Sequence, residues 1–252
     1  MKKDQSIYNN SNGLTTWLLL YASSYAFFHI IPAFLIFDIK NGLMVADLFD
    51  LITPFIMALL IYRIYRILSP LIAKDISSFF RWIINILLIF GIITFVEGHG
   101  MHLSANAIAR YLTPAKDFPI FSLTYFFDEI LSHILWDGGL ILLTVGIILM
   151  GFAISKESLS DHRYGSILAG SLLYGFTYFV NAVEGQTVVF TFPMAVIIPT
   201  LIGIIMQRQG KSLQKNPVLS FFMFSYIIAT CFFLIWAIWQ KGFPQFSEIG
   251  WI

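Results

Sequence analysis

Seven apolar runs, each about as long as a bilayer core of ~30 Å demands, constrain this chain more than any motif it carries. They are read at roughly Leu14–Phe37, Leu43–Leu68, Phe80–Ala105, Ser122–Ile154, Tyr164–Gln186, Val188–Gln207 and Leu219–Gln240. In hydrocarbon every backbone N–H and C=O needs a partner within its own segment, so such runs fold as helices. Composition agrees, with 58% hydrophobic and 12% charged residues, half the charge of a soluble domain. The expected fold class is all-α, a polytopic membrane bundle of about seven transmembrane helices. A polar tail at 1–13 precedes the bundle at 14–240, and a short tail at 241–252 follows it. The fourth run exceeds one upright span, so its first turns belong in the interface or inside the bundle. Pro32, Pro54, Pro193 and Pro199 should kink their spans, and Gly165, Gly170 and Gly175 should admit a close neighbour on the fifth.

Basic residues set the orientation. One side collects eleven of them: Lys2, Lys3, Arg63, Arg66, Lys74, Arg81, Lys156, Arg163, Arg208, Lys211 and Lys215. The other side has four: Lys40, Arg110, Lys116 and Lys241. The positive-inside rule then puts the N-terminus in the cytoplasm and the C-terminus outside. The first run is longer than a signal-peptide core and reads as a retained span, giving a multi-pass protein of the plasma membrane with membrane lipids as its neighbours. A net charge of +1 without a basic patch argues against nucleic acid. Cys231 is the sole cysteine, which excludes an intrachain disulfide and a Cys-cluster metal site. It reads as a small buried apolar residue.

Orientation gathers the polar residues at one depth. The third span runs outward and ends in Phe95-Val-Glu-Gly-His-Gly-Met-His-Leu-Ser, placing Glu97, His99 and His102 at its outer end. The fourth runs inward from Asp128-Glu-Ile-Leu-Ser-His133, with Asp137 one turn on. The fifth runs outward to Asn181 and Glu184. His29, Asp47 and Asp50 fall on the same side, whereas His162 lies in a cytoplasmic loop. Ionisable groups inside a membrane cost several kcal/mol at about mid-depth, so such layering points to function.

Imidazoles and carboxylates converging from separate helices are what a bundle uses to hold a metal. His99 and His102, three apart, share a helix face, as do Glu129 and His133, four apart. The expected ligands of a divalent metal, zinc favoured and iron or copper as alternatives, are His99, His102, His133, Asp128 and Glu129. Glu184, with Glu97 as a second candidate, is expected to take a proton from the metal-bound water. Glu97 is offset by two residues from His99, and Gly98 and Gly100 would have to open the helix to bring it round. The duller readings are that His29 is an interfacial hydrogen-bonding residue, that Asp47, Asp50, Asp128 and Glu129 open their helices, that Arg110 and Lys116 neutralise them, and that Trp17, Trp136, Trp236 and Trp239 anchor the interface. A proton- or ion-coupled transporter relaying through Glu97, Glu129 and Glu184, and a metal-carrying subunit of a redox complex, are the rival functions.

Gly98-His-Gly-Met-His-Leu-Ser followed by Phe127-Asp-Glu-Ile-Leu resembles, in outline, the seven-span CREST membrane hydrolases, which include alkaline ceramidases. The resemblance implies a zinc-dependent hydrolase of a lipid amide or ester, with His102 and Asp128 matching the family's first His and its Asp. That family completes its zinc site with two histidines on the last span. Leu219–Gln240 has none, so His99 and His133 would replace them.

Overall fold

The computed structural model describes residues 2–35, 37–112, 118–154, 164–210 and 212–251, with the backbone alone at 2–12 and 214. His162, Lys116, Lys156, Arg163 and Lys211 lie outside the described residues. Helix α1 (Lys2–Ile30) leads to a short 3-10 turn (Ile31–Phe34) and a hairpin, β1 (Asp38–Lys40) and β2 (Leu43–Met44). Then come α2 (Asp47–Leu68), α3 (Ser78–Leu112), α4 (Pro119–Tyr125), a π-helical turn (Phe126–Leu131), α5 (Ser132–Ala153), α6 (Tyr164–Glu184), α7 (Val188–Gln209) and α8 (Pro217–Gln240). Helix α4, the π turn and α5 form one continuous run, so the described residues contain seven helical spans long and apolar enough to cross a membrane. The chain is an all-α, multi-pass membrane bundle.

Several edges differ from the sequence reading for identifiable reasons. Helix α1 stops at Ile30 because Pro32, two residues on, cannot donate to the helical ladder. Leu43 and Met44 belong to the hairpin and not to the second span, so α2 starts at Asp47. The hairpin turn is Asn41-Gly42, with φ of 52° and 81°, the left-handed pair a tight two-residue turn requires. Helix α3 runs two turns past Ala105 to Leu112, through good helix formers, and passes Gly98 and Gly100 unbroken. Pro54, Pro193 and Pro199 lie inside α2 and α7. Cys231 is exposed on α8 and not buried.

Helix α3 packs most extensively on α5, and glycine permits it. A Cβ at Gly98 would sit 2.5 Å from the Trp136 backbone nitrogen and 2.7 Å from the Ser132 carbonyl oxygen. One at Gly139 would sit 2.5 Å from the Phe95 nitrogen. Backbone therefore rests on backbone, as in small-residue contacts between membrane helices. Helix α6 meets α8 in the same way at Gly175, where a Cβ would lie 2.3 Å from the Ser225 carbonyl oxygen, and Gly170 faces Phe221. Gly165 has open space and makes no such contact. Beyond α8 the chain turns at Lys241 (φ 57°) and folds back over the bundle. Trp236 Nε1 donates to the Pro244 carbonyl (3.2 Å), and Glu184 Oε2 accepts from the Phe246 and Ser247 amides (2.9 and 3.3 Å).

Overpacking at these contacts costs about 1–3 kcal/mol. Gly98→Ala and Gly139→Ala should each lower the melting temperature of the purified protein by several degrees. Gly100→Ala, with nothing within 4 Å, should leave it unchanged.

Candidate functional site

The close approach of α3 and α5 fixes which imidazoles meet. His99 and His102 leave α3 towards the start of α5, where Trp136 is the centre of the contact. Ring centroids of His99, His29, His133 and His102 lie 4.1, 4.8, 5.3 and 6.1 Å from that of Trp136. Trp136 is thus a buried hub at 8% exposure and not an exposed anchor, and His29 belongs to the same cluster. Of the other tryptophans expected at the interface, Trp236 is buried and Trp239 is exposed.

Three of the four histidines have their tautomer set by the helix that carries them. Nδ1 of His29, His99 and His133 lies 2.7, 3.0 and 2.9 Å from the carbonyl oxygens of Tyr25, Phe95 and Glu129, each four residues back. A carbonyl can only accept, so each Nδ1 carries a proton, and in the neutral ring each Nε2 keeps its lone pair. The Nε2 atoms of His29 and His99 are buried without a partner, as is the Trp136 N–H.

His102 differs. Its Nδ1 lies 3.0 Å from Asp128 Oδ1 and 3.3 Å from the Asp128 carbonyl oxygen. Its Nε2 lies 3.9 Å from Asp50 Oδ2, too far for a direct hydrogen bond. The His102 and His133 ring centroids are 5.0 Å apart. The π turn presents Asp128 and Glu129 here: it adds a residue to the helical turn, so Asp128 is buried against His102 while Glu129 turns to an adjacent cavity. Single π turns recur at functional sites for this reason.

That cavity, about 620 Å³, is amphiphilic. Its polar wall carries His29, Asp47, Asp50, His102, Asn106, Arg110, Glu129, His133, Asn181 and Glu184. Its apolar wall carries Phe28, Phe34, Phe176, Phe179, Phe232, Trp236, Trp239, Phe246 and Trp251. Asp47 and Arg110 pair bidentately (2.6 and 2.8 Å), and Arg110 also donates to the Gly42 carbonyl (2.8 Å), clamping the hairpin to α3. Gly42 has to be glycine twice over, since a Cβ would also lie 2.4 Å from the Ala107 carbonyl oxygen. Asn181 donates to the Tyr25 hydroxyl (3.0 Å), and the buried Asp137 accepts from the Thr187 hydroxyl away from the cavity.

The residues expected from sequence are therefore divided. His102, His133, Asp128 and Glu129 meet at one place, joined by Asp50. Glu184 lines the same cavity but uses Oε2 to hold the C-terminal segment. His99 sits beneath Trp136, outside the cavity lining. Glu97 is exposed on the opposite face of an unbroken α3, so Glu97, Glu129 and Glu184 do not line one path. The donors have ligand chemistry: His102 and His133 each turn Nδ1 to a protein acceptor, the arrangement that orients metal-binding imidazoles. Among the described residues no group of three or more His, Cys, Asp or Glu is arranged to hold a metal ion. Asp50, Trp136 and the aromatic wall are what sequence reasoning did not assign to the site.

No protein-family model, curated protein or solved structure matches this chain.

Asp47 is 1% exposed, and removing its partner leaves a buried charge, a loss of about 3–5 kcal/mol. Arg110→Met should therefore destabilise the protein strongly in thermal unfolding. Asp47→Asn in the same chain should recover a large part of that loss.

Proposed function

We propose that this chain is an integral membrane hydrolase, acting in the plasma membrane on a lipid-like ester or amide bound near the extracytoplasmic face. The observation that carries this reading is the placement of a paired His102 on the wall of a large amphiphilic cavity. Aromatic side chains offer an acyl or isoprenoid chain a dry surface, and a compact polar wall receives the reacting group. The cavity lies within the size range of small-molecule sites, roughly 300–1,000 Å³.

His102 is the group suited to proton transfer. The Asp128 carbonyl faces the Nδ1 proton of His102 at 3.3 Å and the Asp128 carboxylate stands 3.0 Å away as its ionic partner, which fixes the ring and leaves Nε2 as the base. The 3.9 Å between Nε2 and Asp50 Oδ2 suits a water bonded to both groups. Water attacks the carbonyl carbon and forms a C–O bond. Its proton passes to His102 Nε2. The bond from the carbonyl carbon to the leaving oxygen or nitrogen then breaks, and that atom takes the proton from His102. Glu129 and His133 line the same wall and are placed to position substrate. The zinc expected from sequence has no ready-made donor sphere among these residues, so the steps assigned here use the protein's own acids and bases.

In nanodiscs, hydrolysis of long-chain fluorogenic esters or amides should fall by about 10²–10⁴-fold in His102→Ala. Asp128→Asn should cost roughly 10²-fold through loss of ring orientation, and Glu97→Gln should cost nothing. No hydrolysis by the intact protein, or full activity in His102→Ala, would refute the assignment. Activity is expected to survive a chelator. Loss to chelation with recovery on zinc alone would reinstate the metal.

A further inference from the structure

The polar wall of the cavity is unbalanced in charge. Its ionisable carboxylates are Asp47, Asp50, Glu129 and Glu184, and its one arginine or lysine among the described residues is Arg110. Arg110 places three of its five N–H donors on Asp47 and the Gly42 carbonyl, so its charge is largely balanced by Asp47. Three carboxylates remain. Glu184 is partly satisfied by two backbone amides. Asp50 has only the 3.9 Å ionic contact with His102 Nε2, and among the described residues no hydrogen bond reaches the side chain of Asp50 or Glu129. His102 does not restore the balance, because Asp128 already stands against its other nitrogen.

A second observation points to the same ligand. His133 lines the cavity at only 8% exposure, its Nδ1 lies 2.9 Å from the Glu129 carbonyl, and among the described residues no hydrogen bond reaches its Nε2. In the neutral ring with Nδ1 protonated, that nitrogen can only accept. A ligand with N–H donors satisfies it, whereas a carboxylate or phosphate brings acceptors alone.

We infer that the cavity selects an amphiphile with a protonated amine in its head group, seated between Asp50, Glu129 and His133, with its chain along Phe176, Phe232 and Trp236. The inference rests on reading the cavity as the substrate site, and it adds the class of head group.

Binding tests it separately from turnover. The full chain in uncharged phosphatidylcholine nanodiscs is titrated at pH 7 with dodecylamine, dodecanol and dodecanoate, following tryptophan fluorescence. Dodecylamine is expected to bind at least tenfold more tightly than dodecanol, with dodecanoate weakest. Asp50→Asn with Glu129→Gln should bring dodecylamine to the level of dodecanol while dodecanol binding is kept, and Glu129→Gln alone should remove part of the preference. Equal binding of the three probes, or a preference for amine that survives both variants, overturns the inference. Amine selectivity without hydrolysis would refute the enzyme reading and leave this one standing, and the converse result would do the reverse.

Discussion

The backbone contact between α3 and α5 is the constraint from which the rest follows. Gly98 lies on the Trp136 backbone and Gly139 on that of Phe95, and no residue with a Cβ fits either place without movement. Hydrocarbon gives two apolar helices little reason to associate, so close packing and the polar pairs it permits must supply the attraction. Here they occur together. The same contact that brings the helices into register places His102 against Asp128 and stacks His133 and His99 on Trp136. Packing and site are one feature of the fold.

Chemically similar side chains in this cluster have been given different tasks by their surroundings. His29, His99 and His133 each donate to a carbonyl of their own helix, which settles the tautomer without a second residue. His102 instead faces the next element, where the π turn supplies a carboxylate and a carbonyl. The carboxylates are sorted too: Asp47 is spent on Arg110, Asp128 on His102, and Glu184 largely on the C-terminal segment. Asp50 and Glu129 are left to face a ligand. Burial makes that sorting consequential, since an unpaired charge in a poorly solvated site is costly.

The class of fold was legible because spanning length is a strong demand on composition. The common level of His29, His99, His102 and His133 was legible from run length and the alternating direction of successive spans, and the gathering of His102, His133, Asp128 and Glu129 agrees with it. What the sequence could not convey was rotation. One extra residue in the π turn decides that Asp128 meets His102, and nothing in Phe126–Leu131 announces it. Glu97 and His99 are two residues apart, and only an unbroken helix through Gly98 and Gly100 turns one outward and buries the other. Asp50 looked like a helix-opening acid because its partner lies 52 positions along, on another helix. The hairpin had a signal, Asn41-Gly42, obscured by the apolar residues that follow. The return of the C-terminal segment, held by Glu184 and Trp236, had none.

The imidazole–carboxylate contact between α3 and the π turn is the most direct object of measurement. Solid-state NMR of the protein in lipid membranes, with nitrogen-15 in histidine and carbon-13 in the aspartate carboxyl, reads such contacts as dipolar couplings. A strong coupling that disappears in Asp128→Ala and in His102→Ala is the expected result. A spectrum unchanged by Asp128→Ala would mean that the two helices meet in some other register, and the site described here would not exist.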